Sequence, residues 1–150
     1  MVFKVILALH VLLAVFAVGP LVHAVTTAGR GLRTADASAT AASARMVRMY
    51  TAASVLVVVV GFGLMSMKSP YTHKPAGSFG QTWVWLSLVL WVVAAAAAIG
   101  LVTPGLDKAT QRIGAGEPVK ELTARVAASG GVIGVLFAAI VVLMVYRPGA

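Results

Sequence analysis

The pattern of polar and apolar positions divides the chain into four long apolar runs separated by charged connections. None of the runs, at about residues 5–26, 50–67, 82–103 and 126–146, contains Asp, Glu, Lys or Arg. About 20 helical residues cross a hydrocarbon core ~30 Å thick, so each run is close to the length that a crossing needs. Backbone groups in lipid must be hydrogen-bonded within the segment, and the alternating polarity of a barrel strand is absent. The sequence therefore predicts an all-α polytopic membrane protein.

The connections predict that two of the helices begin outside the membrane. Asp36 is a natural N-cap, and the stretch that follows it as far as Tyr50 contains no Gly or Pro. Pro118 is favoured at the first position of a helix. The predicted helices span about residues 5–26, 36–67, 82–103 and 118–146. Residues 1–150 are thus predicted to form a single domain, an antiparallel bundle of transmembrane helices.

Two glycine patterns predict local features of this bundle. Gly19-Pro20 should kink the first helix, because proline lacks a backbone donor and clashes one turn back. Gly130 and Gly134 form a GxxxG pattern that allows close helix approach. We expect these glycines to serve contacts within the bundle, with a dedicated oligomer face as the alternative.

The distribution of positive charge predicts the orientation. Eight Lys and Arg residues lie in the first and third connections, against four at the termini and in the second connection. Positively charged loops stay in the cytoplasm, so both termini and the middle loop are predicted on the outer side. Because the charges flank apolar runs, the net charge of +8 does not indicate nucleic-acid binding.

The first run exceeds a 7–15-residue signal-peptide core, which favours a retained helix over a cleaved signal.

Catalytic chemistry is not apparent in the sequence. There is no cysteine, no HExxH, no P-loop, no GxGxxG and no Ser-His-Asp arrangement. Ion pumps keep ionisable residues inside the membrane. In the apolar runs of this chain, the only candidates for such a role are His10 and His23. We therefore expect neither an enzyme nor an ion pump that acts alone, and no cofactor is predicted.

A haem- or copper-binding alternative rests on His10. Imidazole and thioether ligands suit Cu(I), and Met65, Met67 and Met144 lie near the same outer surface in the predicted topology. In the simpler interpretation, the methionines fill packing space and His10 bonds a carbonyl group or a lipid headgroup. The sequence favours the simpler interpretation.

Two surfaces are candidate contacts with lipid or with a partner protein. The cytoplasmic surface carries Arg30, Arg33, Arg45 and Arg48, for which attraction to anionic lipid is sufficient and an acidic partner surface is the alternative. The outer loop and the start of the third helix carry little charge. Their candidate contact residues are Tyr71, His73, Phe79, Trp83 and Trp85. Docking to a partner and anchoring at the membrane interface both remain open for them.

Several short motifs resemble a family of small bacterial membrane proteins. They are Leu9-His10-Val11-Leu12 followed by Gly19-Pro20, a Trp-rich third helix, and Val142-Leu-Met-Val-Tyr-Arg-Pro-Gly at the end. The family is described as predicted integral membrane protein of unknown function, and the resemblance covers nearly the whole chain. In build the chain is also similar to accessory subunits of the actinobacterial respiratory cytochrome bcc–aa3 supercomplex. The resemblance supplies no catalytic residues.

These likenesses imply a multi-pass protein of the bacterial plasma membrane. We expect a non-enzymatic accessory subunit that packs against and stabilises a larger membrane complex, most simply a respiratory oxidase supercomplex. Its expected partners are membrane lipids and that complex. The alternatives are the haem- or copper-binding protein described above and a small homo-oligomeric transporter.

Overall fold

The computed structural model describes residues 1–150 and contains four long helices. They are α1 (Val2–Arg33), α2 (Ala37–Met65), α3 (Thr82–Gly114) and α4 (Lys120–Tyr146). Each is long and apolar enough to cross a membrane, and the only extended pairing is an isolated bridge between Lys68 and Pro75. The predicted all-α fold with four crossings is confirmed.

The two ends of the bundle differ in composition. We call the end that carries the α1–α2 and α3–α4 connections the basic end. The end that carries both chain termini and the α2–α3 loop is called the aromatic end.

α1 and α3 extend further toward the basic end than the sequence predicted. α1 continues to Arg33 instead of residue 26, and α3 continues to Gly114 instead of residue 103. The predicted ends marked where the apolar run stops, which reports lipid depth, whereas a helix continues as long as its backbone hydrogen bonds do. The tight connections that follow contain Ala35 at φ 49° and Gly116 at φ 73°, and a positive φ of this kind ends a helix.

α2 begins beside the predicted cap, and α4 begins slightly later than predicted. The Asp36 carboxylate accepts from the Ala39 N–H at 3.0 Å and from the Ser38 hydroxyl at 2.7 Å. These bonds favour the charged form, so the pKa of Asp36 lies below its usual value.

α4 begins at Lys120 instead of residue 118, because the first turn closes on the carbonyl of the residue after the proline. α2 ends at Met65, short of the predicted residue 67.

Two short π-helical segments precede prolines inside the long helices. Ala14–Val18 precedes Gly19-Pro20 in α1, and Ala98–Val102 precedes Thr103-Pro104 in α3. A proline cannot donate to the carbonyl four residues back and its ring crowds that carbonyl. A wider π turn is one way in which a helix accommodates this. The predicted disturbance at Gly19-Pro20 therefore appears as a π segment, and the sequence analysis missed its counterpart in α3.

Side-chain packing is densest in the basic half of the bundle. Gly19–Arg33 packs against both α2 and α4, and Thr103–Gly114 packs against α2. The fully buried side chains here include Leu21, Val25, Val47, Leu106 and Val126. In the aromatic half, Val2–Leu13 has its one extensive contact with α2, while Thr82–Ala97 packs mainly against α4. The bundle is thus closed at the basic end and consists of two helix pairs at the aromatic end.

The GxxxG glycines lie at the α1–α4 contact. Gly130 meets the backbone of Val25 with no room for a side chain. A Cβ at Gly134 would lie 3.5 Å from the Thr26 side chain and 3.9 Å from that of Val22. Both glycines therefore serve a contact within the bundle.

Candidate functional site

The α2–α3 loop forms a compact cap over the aromatic end. The Ser69 N–H donates to the Lys74 carbonyl at 2.8 Å, and the Ala76 N–H donates to the Met67 carbonyl at 3.0 Å. His73 lies in the turn that the inner of these bonds closes, in the left-handed region at φ 56°. These two hydrogen bonds shape the loop as a hairpin, and Tyr71 and His73 are exposed at its tip.

Cation–π contacts hold both chain termini at this end of the bundle. The Lys4 ammonium lies 5.7 Å from the centre of the Tyr71 ring, and the Arg147 guanidinium lies 5.2 Å from that of Trp83. Phe79 packs against Phe62 of α2 with ring centres 5.7 Å apart. Such contacts contribute about 0.5–1.5 kcal/mol each. The cap therefore contacts α1 and α2, while the C-terminal Arg147 contacts α3.

The five predicted outer contact residues are brought to this one end. Tyr71, His73, Phe79 and Trp85 are exposed. Trp83 is half-buried, its indole Nε1 makes no hydrogen bond, and its ring lies against Gly77 of the cap. The arrangement provides an exposed aromatic surface with one indole donor beneath it.

His10 faces α2 in the aromatic half of the bundle. A Cβ at Gly61 would lie 3.1 Å from His10 Cε1, so the imidazole occupies the space that the glycine leaves. Its Nδ1 makes no hydrogen bond. The missing side chain at Gly61 is therefore what allows a ring to lie between these two helices.

The methionines of the haem- or copper-binding alternative lie on three different parts of the chain. Met65 Cγ lies 3.4 Å from where a Cβ of Gly77 would be, Met67 is in the cap, and Met144 is 37% exposed on α4. No group of three or more His, Cys, Asp or Glu side chains is arranged to hold a metal.

The aromatic half of α1 leaves one face without a neighbour. Phe3, Ile6, Leu13 and Ala17 are at least partly buried on the side of His10. The adjacent stripe repeats at alternating intervals of three and four residues and is between 43% and 70% exposed. We call these residues the α1 stripe: Val2, Val5, Leu9, Leu12 and Phe16.

Three side-chain hydrogen bonds join α2 to α3. The partners are Thr40 with Thr110 at 2.8 Å, Arg48 with Asp107, and the indole N–H of Trp91 with the Ser54 hydroxyl at 3.1 Å. The sequence analysis named Arg48 without its partner and missed Ser54 and Trp91. Polar atoms within an apolar run were the signal that could have found them.

The four predicted basic residues lie on two helices and do not form one cluster. Arg30 and Arg33 are exposed on α1, and Arg45 and Arg48 are exposed on α2. Arg45 and Arg48 line a surface depression of about 400 Å³, together with Ala41, Asp107, Thr110 and Gln111. Arg30 belongs to a separate depression of about 320 Å³ that also includes His23 and Asp36. The first depression therefore combines two guanidinium groups with a carboxylate, and the second combines a guanidinium, an imidazole and a carboxylate.

The family described as predicted integral membrane protein (DUF2269) matches residues 4–148 of the chain. The match covers nearly the whole sequence, so the chain belongs to this family. Neither a curated protein nor a solved structure matches the chain.

Proposed function

We propose that this chain is a non-enzymatic membrane subunit that packs through the α1 stripe against a transmembrane helix of a larger complex and stabilises that complex. One observation carries the proposal. The segment Val2–Leu13 has no buried residue, and its one extensive helix contact is with α2. A helix of this length would gain packing from a second neighbour, which this chain does not supply.

The geometry of the α1 stripe supports a helix as that neighbour. Alternating intervals of three and four residues produce a seam that follows a left-handed helix pair. Lipid tails are as apolar as leucine, so helices associate in membranes through close packing and hydrogen bonds instead of the hydrophobic effect. A partner helix that interdigitates with Leu9, Leu12 and Phe16 would provide this packing, since these side chains are 43%, 53% and 70% exposed.

The respiratory cytochrome bcc–aa3 supercomplex is the first complex in which we would look for the chain. The support for this choice is the likeness in build to its accessory subunits, a small four-helix chain with no catalytic residues of its own. The same choice implies a location in the bacterial plasma membrane. The exposed aromatic cap, with Tyr71 and Phe79 at 73% and 61% exposure, offers a second contact with such a complex outside the lipid.

The haem- or copper-binding alternative has less support. It needs several ligands around His10, and the imidazole instead fills the space beside Gly61. The homo-oligomeric transporter has no observation in its favour, because Gly130 and Gly134 are already used between α1 and α4.

Pull-down from native membranes in a mild detergent tests the proposed role. The wild-type chain is compared with Leu12→Trp, which adds bulk to the α1 stripe, and with Val135→Trp on α4. Leu12 and Val135 are both exposed, at 53% and 69%. They lie at similar depth, 10 and 11 residues from the aromatic ends of their helices. The two variants therefore differ mainly in the face that they change.

We expect a membrane complex to co-purify with the wild type and with Val135→Trp, and its recovery to fall in Leu12→Trp. A wild-type chain that purifies alone would contradict the proposal. A Soret band or stoichiometric copper in the purified wild type, lost in His10→Ala, would favour the haem- or copper-binding alternative. Solute transport by the reconstituted chain alone would favour the transporter.

A further inference from the structure

The depression between α2 and α3 at the basic end combines positive charge with free hydrogen-bond donors. Arg45 takes part in neither ion pair of the structure. Arg48 is held by Asp107, and the Gln111 side chain is exposed beside them. Two guanidinium groups and one carboxylate leave a net charge of +1. The depression therefore suits a ligand group that carries a single negative charge.

The depth of these arginines matches the headgroup layer of a bilayer. Arg48 lies 17 residues and Arg45 lies 20 residues from Met65, the aromatic end of α2. At ~1.5 Å per residue these separations are about 26 Å and 30 Å. The hydrocarbon core is ~30 Å thick. If the aromatic end of α2 lies at one edge of the hydrocarbon core, the two guanidinium groups lie at the opposite edge.

An apolar surface continues from the depression toward the aromatic end. On α2, the exposed positions on the side of Arg45 and Arg48 are Ala52, Val55, Val59 and Phe62. On α3, Pro104 and Leu101 are exposed next to the position of Asp107. A charged depression followed by an apolar strip has the polarity of one phospholipid, with its headgroup at the basic end and its acyl chain along α2.

We propose that this depression is a binding site for the phosphate group of an anionic phospholipid. Arg45 and Gln111 donate hydrogen bonds to the phosphate oxygens, and the acyl chain lies on the α2 strip. Asp107 holds Arg48 at the rim and orders its guanidinium. The Asp107 carboxylate also limits the net charge of the site to +1, which balances the single negative charge of a phosphodiester. This site is independent of the α1 stripe and of the proposed complex.

Lipid retention by the purified full-length chain tests the site. Native mass spectrometry from detergent micelles counts bound phosphatidylglycerol, with phosphatidylcholine and inorganic phosphate titrated in parallel. Arg45→Gln is compared with Arg33→Gln, which removes the same charge from an exposed position outside the depression. Gln111→Ala alters the depression without changing charge, so it serves as a second variant should Arg45→Gln fail to fold.

We expect one phosphatidylglycerol to bind in preference to phosphatidylcholine. Loss of one basic contact near the membrane surface should weaken binding about fivefold in Arg45→Gln. Gln111→Ala should also weaken it, and Arg33→Gln should have the smaller effect. Equal losses in Arg45→Gln and Arg33→Gln would mean diffuse attraction and would overturn the proposal. Binding of phosphatidylcholine as tight as that of phosphatidylglycerol would also overturn the proposal. Displacement of the lipid by inorganic phosphate at equal concentration would overturn it as well.

Discussion

Gly130 of α4 lies against the carbonyl oxygen of Val25 in α1, with no space between them for a side chain. A hydrogen takes the place of the Cβ and faces the carbonyl oxygen, an arrangement that recurs as a weak hydrogen bond at helix interfaces. In contrast, Gly131 has no neighbouring atom within 4 Å of its Cβ position. Two adjacent glycines on one helix therefore have different structural roles.

Gly130→Ala should destabilise the bundle, while Gly131→Ala should not. The added methyl group must push α1 and α4 apart, and overpacking of this kind costs about 1–3 kcal/mol. Gly131→Ala should be neutral or stabilising, since Ala is favoured over Gly in a helix by about 1 kcal/mol. Unfolding in mixed micelles with increasing SDS measures both. Equal stability of the two variants would show that α1 and α4 do not meet at Gly130.

The indole hydrogen bond from Trp91 to Ser54 should stabilise the α2–α3 contact inside the membrane. Ser54→Ala leaves the indole N–H without its acceptor, and Trp91→Phe removes the donor. A double-mutant cycle should give a coupling energy of about 0.6 kcal/mol and at most about 1.7 kcal/mol, the range found for such bonds in membrane proteins. A coupling energy of zero would mean that the two side chains do not interact.

The Arg48–Asp107 pair should contribute less and should depend on salt. Its side chains are 52% and 41% exposed, and exposed ion pairs contribute about 0–1 kcal/mol. The coupling energy between Arg48→Gln and Asp107→Asn should therefore be small at low salt and should decrease further at high salt. A large coupling that does not change with salt would instead place the pair in a water-free environment.

Single cysteines should report that the aromatic end is outside the cell. The chain contains no cysteine, so each introduced thiol is the only one. Ser78 in the cap and Ala115 in the α3–α4 connection are both exposed. A membrane-impermeant maleimide applied to intact cells should label Ser78→Cys and not Ala115→Cys. The opposite labelling pattern would invert the orientation that the charge distribution predicts.

Hydropathy alone was sufficient to predict the four membrane crossings, because a lipid-exposed helix must be apolar along about 20 residues. The Asp36 cap could also be recognised, since its side-chain bond to Ala39 is local in sequence. The ends of α1 and α3 could not be recognised in this way, because Arg33 and Gly114 lie beyond the apolar runs, where hydropathy carries no signal for a helix that continues.

The question of which helices pack against each other was the hardest to answer from the sequence. Asp107 and Arg48 are 59 residues apart, and no local signal connects them. The α1 stripe became visible only when the other face of the same segment was seen to contact α2. A hydropathy plot reports how deep a residue lies in the membrane, and it does not report which helix the residue faces.

Photo-crosslinking in native membranes tests the subunit role most directly. A photoreactive amino acid replaces Leu12 in the α1 stripe in one variant, and Val135 on α4 in the control. We predict that position 12 forms an adduct with a different membrane polypeptide and that position 135 reacts mainly with lipid. An adduct at position 12 with lipid alone, or with a second copy of this chain alone, would contradict the account.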